Sequence, residues 1–404
     1  MKTSTKQYRI LLVSFFIGLC STVLTAQDIY VAGNEYQGAA KLWTNGTPQD
    51  LTDGVNFGNA WSVFVDDGDV YVAGTEENNT GIRVAKLWIN GTPQSLTDGT
   101  LNAEARSVFV YNGNIYVAGD ESGTAKLWTN GTPQDLTDGA TYGRASSVYV
   151  DNGDIYVAGK EGDIAKVWKN GSPQDLTDGT QSAEALSVFV DNGDVYVAGK
   201  EFNGTNNIAK LWTNGTPQDL TDGTDDAYAK SVYVANGNVY VAGNEFNNGT
   251  GKAKLWKNDN PQSLILDNQG SSDAKSVVVY NSDVYVAGEE GNLVKVWING
   301  TPQTISDGST YAYAYSVFVT NSLGVSDMTE NHFTLYPNPV QDILHVEIPL
   351  GNIQKTSLFS ITGQRLKTWK GKTDVNLSQF APGSYFVKIT AQDGKTVVKQ
   401  VVKK

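Results

Sequence analysis

The stretch "KLWTNGTPQDLTDG" runs from Lys41 to Gly54 and recurs letter for letter at Lys126–Gly139 and Lys210–Gly223. A catalytic loop has no use for three copies, and repetition at this fidelity marks architecture. Working outward, the motif "VAG" ends at Gly33, Gly74, Gly119, Gly159, Gly199, Gly243 and Gly288, a period of 40 to 45 residues. Each period carries four short segments of the types "SVFV", "VYVAG", "AKLW" and "QDLT". They are rich in β-branched and aromatic residues at period two and are bounded by turn formers. Asn-Gly pairs such as Asn45-Gly46, Asn152-Gly153 and Asn214-Gly215 stand between them. That dipeptide tolerates the two positive φ angles of a type I′ hairpin. Each period therefore predicts an antiparallel four-stranded meander.

Tandem meanders of about 40 residues predict an all-β chain folded as a β-propeller, one period per blade. The repeat opens in mid-unit at Asp28–Gly33 and stops in mid-unit at Ser316–Asn321. The last strand supplies what the first unit lacks. The expectation is a seven-bladed propeller over residues 27–321, closed by pairing of its terminal strands so that no edge is left open.

Positions that never vary between units read as structure. Trp43, Trp88, Trp128, Trp168, Trp212, Trp256 and Trp297 share one place in the third segment. A wedge between blades fits that constancy better than a sugar platform. A glutamate two residues after each glycine (Glu35, Glu76, Glu121, Glu161, Glu201, Glu245, Glu290) faces a lysine (Lys41, Lys86, Lys126, Lys166, Lys210, Lys254, Lys295) across one hairpin. A cross-strand ion pair in every blade is the expectation, with a cation-binding carboxylate ring as the alternative. The "TDG" aspartates read as turn chemistry rather than calcium ligands, because each motif offers few convergent oxygens. No metal and no cofactor is expected.

Variation gathers at one rim. The residue just before each inner strand is Trp61, Arg106, Ser146, Leu186, Lys230, Lys275 or Tyr315, and two residues earlier stand Asn59, Glu104, Arg144, Glu184, Tyr228, Asp273 and Tyr313. In a propeller this rim surrounds the mouth of the central channel, a concave place for ligands. Trp61, Tyr228, Tyr313 and Tyr315 are candidate stacking surfaces, and Arg106, Lys230 and Lys275 candidate partners for anions or hydroxyls. Drift at tolerant surface positions accounts for the same pattern. The functional expectation is a non-catalytic binding or adhesion module for an extracellular glycan or protein. The alternative is a carbohydrate-active enzyme using two of Glu104, Glu184 and Asp273.

Only two histidines exist, His332 and His345, both after the repeats, so histidine triads and zinc-hydrolase sites do not belong to the propeller. No phosphate-cradling glycine loop is present. Residues 27–328 hold 17 Lys and Arg against 38 Asp and Glu, whereas residues 329–404 hold 10 against 5. The acidic body argues against nucleic acid or an anionic membrane as partner. Residues 1–26, with Lys2, Lys6 and Arg9 before an apolar run and Ala26 at its end, read as a cleaved signal peptide. It contains the only cysteine, Cys20, and the remainder has no transmembrane segment.

After a linker at 322–330, residues 331–404 carry "FTLYPNPVQDILHVEI", "SLFSITGQRLKTW" and "LSQFAPGSYFVKITAQDGKTVVKQVVKK". Short alternating strands and reversed charge predict a separate small β-sandwich. These motifs resemble the type A C-terminal sorting domain of the type IX secretion system in Bacteroidetes. The resemblance implies export through the signal peptide and then the outer-membrane channel, with the propeller left on the cell surface or released. It further implies that the secretion machinery reads Tyr336, Pro337, Asn338, Pro339, Gly363, Arg365, Gly383 and Tyr385, although structural roles for Pro339 and the glycines fit equally well.

Overall fold

The structure is a computed structural model that describes residues 27–35, 38–258, 260–263, 270–321, 334–347, 353–360, 364–391 and 396–404. The signal segment and the 322–330 linker lie outside the described residues. Among those described the chain is all β, with no helix. No helix is therefore long and apolar enough to cross a membrane.

Residues 27–321 form seven four-stranded antiparallel sheets, consistent with propeller blades. The second sheet shows the pattern: Gly58–Asp66, Asp69–Glu77, Arg83–Ile89 and Thr92–Ser95. In the first sheet the innermost strand comes from the far end of the repeats. Ala312–Asn321 pairs with Gln27–Glu35, in register from Gln27↔Asn321 to Glu35↔Ala312. The tight turns are the ones asparagine and glycine permit, as at Asn45 (φ 51°) and Gly46 (φ 80°).

Neighbouring sheets are joined by the same two devices throughout. The serine of each "SVFV" segment accepts a hydrogen bond from a valine N–H of the next inner strand. Val108 N donates to Ser62 Oγ at 3.2 Å, Val148 N to Ser107 Oγ at 3.1 Å, and Val188 N to Ser147 Oγ at 3.3 Å. The series continues through Ser187, Ser231 and Ser276 and returns to the first sheet, where Val63 N donates to Ser316 Oγ at 3.2 Å. The seven tryptophans are buried core side chains that pack across sheet boundaries. Trp128 lies in a cluster with Tyr71 and Leu87 of the preceding sheet, and Trp43 with Tyr285 and Val296. The wedge reading of these residues holds.

Every hairpin also carries its glutamate–lysine pair, from Lys210–Glu201 at 2.9 Å to Lys295–Glu290 at 3.5 Å. In four sheets the lysine also meets the aspartate of "QD", as Lys41 meets Asp50 at 2.5 Å. The "TDG" aspartates are spent on their own turns. Asp98, for example, accepts from Thr100 N at 2.9 Å and Thr100 Oγ1 at 2.7 Å.

Residues 334–404 fold as a three-stranded sheet (Thr334–Tyr336, Ile343–Glu347, Asp374–Asn376) facing a four-stranded one (Arg365–Lys370, Ile353–Phe359, Gly383–Ala391, Thr396–Lys403). Val340, Leu344, Leu358, Leu377, Val387 and Val401 form the core between them.

Candidate functional site

The inner strands begin earlier than the sequence pattern suggests, and this changes the placement of the variable residues. Trp61 and its counterparts do not precede their strands; they lie within them. Between Ala60 and Ser62 the register with the neighbouring strand shifts by one residue, and the same shift recurs in all seven sheets. Each residue skipped by the ladder is the variable one. A β-bulge leaves its extra residue unpaired and re-aims its side chain. The "VAG" glycine permits the bulge: a Cβ at Gly74 would collide with the Asn59 carbonyl oxygen.

The seven bulges converge. Trp61, Arg106, Ser146, Leu186, Lys230, Lys275 and Tyr315, with Arg144, line one cavity of about 260 Å³. Trp61 and Tyr315 meet at 4.3 Å between ring centroids, the Arg106 guanidinium lies 5.9 Å from the Trp61 ring, and Tyr313 stacks on Tyr315 at 6.5 Å. Below the mouth, the aromatic residues of the inner strands touch in series, Phe318–Phe64–Phe109–Tyr149–Phe189–Tyr233, at 4.6 to 4.9 Å. Five of the seven rim residues singled out from the sequence thus line the cavity. Tyr228 and Tyr313 do not. Tyr228 accepts from Asn207 Nδ2 at 3.2 Å and sits under Lys200 and Lys230.

Behind the lining lies a layer of carboxylates. Arg106 binds Glu104 and, at 3.0 Å, Asp120; Glu104 also holds Arg83, and Glu184 holds Arg144. Lys230 and Lys275 share Asp273 at 2.5 Å each, and Lys275 reaches Glu289 at 3.2 Å. The three carboxylates considered for catalysis are therefore all engaged by cations. Burial, then the nearby Lys275, pulls the Lys230 ammonium down to about 8. Burial also pushes the Glu289 carboxyl up to about 7, against the opposing pull of Lys275. Arg144 is depressed by burial and by Arg106, and Lys160 and Lys200 by burial and by Arg144.

Sequence reading missed Asp120, Lys160, Lys200 and Glu289. They follow the "VAG" glycine and pair across the strands with Glu104, Arg144, Glu184 and Asp273. The signal was present, since that position reads Asn34, Thr75, Asp120, Lys160, Lys200, Asn244 and Glu289 beside an otherwise constant motif. Several buried polar atoms in these layers have no hydrogen-bond partner among the described residues, including Asn34 Oδ1, Asn59 Oδ1, Asn244 Oδ1 and Ser146 Oγ. Among those residues no group of His, Cys, Asp and Glu has a metal-holding arrangement.

The sorting-motif residues separate into three kinds. Tyr336 is half exposed, and Pro337 and Pro339 stand open beside it. Asn338 ties the motif to the final strand, donating to the Gln400 carbonyl at 3.0 Å and accepting from Val402 N at 2.9 Å. Tyr385 donates to the Ala381 carbonyl at 2.7 Å, and Gly383 opens its strand exposed. Arg365 reaches out of its domain to Asp67 at 3.7 Å and to Asp69. Gly363 lies outside the described residues.

Residues 334–404 match the family model described as the secretion system C-terminal sorting domain. That match supports a type IX secretion cargo, its interaction with the type IX machinery, and export to the cell surface or the medium. No family model names the repeats, and no curated protein matches the chain. Among solved structures, a nidogen/laminin complex matches at 12% identity and a TM-score of 0.40, over 73% of this chain and 98% of that one. A puromycin-hydrolysing peptidase of Mycobacterium tuberculosis matches at 10% identity and a TM-score of 0.47, over 68% of this chain and 50% of that one. This chain thus aligns with half of the peptidase's length, and the likeness carries no activity across.

Proposed function

We propose that the chain is a non-catalytic binding module, delivered to the cell surface or the medium by type IX secretion. Its body is a seven-bladed propeller closed by its own terminal strands. The observation that carries this reading is the convergence of seven bulged residues of six different types on one cavity, in a scaffold whose strand motifs and tight turns largely repeat. Aromatic faces beside guanidinium and ammonium groups suit a glycan or a protein side chain. The engagement of Glu104, Glu184 and Asp273 by cations argues against those three as the acid–base pair of a hydrolase, which needs carboxyls free to give or take a proton.

The test is a glycan and extracellular-protein array probed with the full chain and with the Trp61→Ala/Tyr315→Ala variant. Binding lost in the variant supports the mouth as the site, and binding that survives moves it elsewhere. Turnover of a polysaccharide that is abolished by Glu104→Gln or Glu184→Gln would replace the binding reading with an enzymatic one.

A further inference from the structure

The cavity lining is chemically one-sided. Of its eight residues four are cations, Arg106, Arg144, Lys230 and Lys275, and none is a carboxylate. The carboxylates that balance them are set behind, with Glu104 and Glu184 each showing 8% of the side chain. A ligand entering the mouth meets ammonium and guanidinium groups first, beside the tilted Trp61–Tyr315 pair. At about 260 Å³ the cavity falls just under the ~300–1,000 Å³ of drug-sized pockets, which suits a single sugar ring. We propose that the mouth selects a carboxylate-bearing saccharide, a uronic-acid residue, with its ring against Trp61 and Tyr315 and its acid group between Lys230, Lys275 and the two arginines. This rests on the binding reading above. Burial supports it: the Lys230 ammonium and the Arg144 guanidinium are lowered first by loss of water and only then by Lys275 and Arg106, so an anion placed beside them supplies a partner in place of the lost solvent.

The probes are a galacturonate trisaccharide and its methyl ester, titrated against the full chain by calorimetry. The acid should bind at least about tenfold tighter than the ester, a difference of about 1.4 kcal/mol. That preference should shrink in Lys230→Met and, in part, as salt rises to about 0.5 M, because the lining lysines keep about a fifth of their side chains exposed and partly buried charges are screened less than open ones. Trp61→Ala should weaken both probes. The salt series on the unaltered protein keeps the test valid if the lysine variant misfolds. Equal binding of acid and ester, or no binding of the acid, overturns the ligand class. The binding reading itself falls only if the array also yields no ligand that depends on Trp61 and Tyr315.

Different contacts carry a second inference. In the turn Asp66-Asp67-Gly68-Asp69, Asp67 occupies a positive-φ position (56°) that holds asparagine in the corresponding turns, as at Asn112, Asn152 and Asn192. Three sorting-domain cations converge there: Lys388 meets Asp67 at 3.1 Å, Lys355 also binds Asp67, and Arg365 bridges Asp67 and Asp69. Both aspartates keep less than a tenth of their side chains exposed. We infer that the propeller is a docking partner for its own sorting domain and covers Arg365 while docked. The turn lies at the far end of the inner strand from Trp61, six residues or about 20 Å away, so the mouth stays open.

Small-angle scattering of the full chain and of Asp67→Asn/Asp69→Asn tests this. The variant should show a larger radius of gyration and faster proteolysis between residues 322 and 330, with the same melting profile for the propeller. Lys355→Met/Lys388→Met, altered on the sorting-domain side of the same contact, should show the same larger radius. An unchanged radius of gyration in the asparagine variant overturns the docking.

Discussion

At the residue scale, the mouth sets two buried ionisable groups against each other. Glu289 titrates near 7 rather than in the usual carboxylate range, and Lys230 near 8 rather than 10.5. The groups facing them are Lys275 and Asp273, with Tyr228 under Lys230 and Tyr315 beside Lys275 and Glu289. Between pH 4.5 and about 7 the folded state holds a proton on Glu289 that the unfolded state gives up, so this group's contribution to stability falls as pH rises. Between about 8 and 10.5 the unfolded state keeps the Lys230 proton that the folded state sheds, so stability recovers. Ligand binding follows the charge. Protonating Glu289 and Lys230 both make the mouth more positive, and the affinity for galacturonate should rise as pH falls from about 9 to about 6, on the order of tenfold. Calorimetric titration across that range checks it. A flat profile would place the acid group away from this pair.

At the element scale, the bulged inner strand and the tryptophan of the third strand do separate jobs. The bulge turns one side chain per sheet toward the cavity; the tryptophan fills the gap to the preceding sheet. Trp168 is fully buried, in a cluster with Tyr116, Leu127 and Val148. Its truncation to alanine leaves a cavity that packed β-sheets cannot collapse, and it should cost about 3–5 kcal/mol. Chemical denaturation of Trp168→Ala measures this directly, and a loss under about 1 kcal/mol would mean that the sheets do not depend on the wedge. The glutamate–lysine pairs invite no comparable claim. Such pairs at partly exposed hairpins contribute about 0–1 kcal/mol each, and fixing the strand register is the role their geometry supports.

At the scale of the whole molecule, one strand joins the beginning of the repeats to their end. Deleting Ser316–Asn321 strips Gln27–Ala32 of their inner-strand partner and removes the Ser316 acceptor from Val63. An unpaired hydrophobic edge follows, and the deletion should aggregate or lose cooperative unfolding. A deletion that melts like the intact chain would overturn the closed-ring reading. The sorting domain gives the other prediction at this scale. Removing residues 331–404 should leave the propeller inside the outer membrane, and grafting them onto another folded protein should carry that protein out. Fractionation of cells and medium decides between these outcomes, and unchanged secretion of the shortened chain would remove the sorting role.

The sequence by itself determined what depends on local pattern. Period-two strands, Asn-Gly turns and the Glu–Lys pairs are set by residues close in the chain, and repetition made each of them, and the constancy of the tryptophans, visible several times over. The pairing of Ser316–Asn321 with the first strand was legible too, because each end of the repeat lacked what the other supplied. The tertiary structure alone decided what depends on the register between strands. No pattern in "SVFV" reveals that Trp61 is skipped by the ladder, since a bulge is created by the neighbouring strand's hydrogen bonds and by the close approach at Gly74. The serines read as ordinary polar strand residues, and only the packing of the next sheet's N–H groups against them makes them acceptors. Tyr228 and Tyr313 carried the same sequence signal as Trp61 yet stand outside the lining, and Asp67 differed from its counterparts by one side-chain group whose partners lie about 290 to 320 residues onward. Distances between residues of different repeats are set by how the sheets pack, and packing has no local signature.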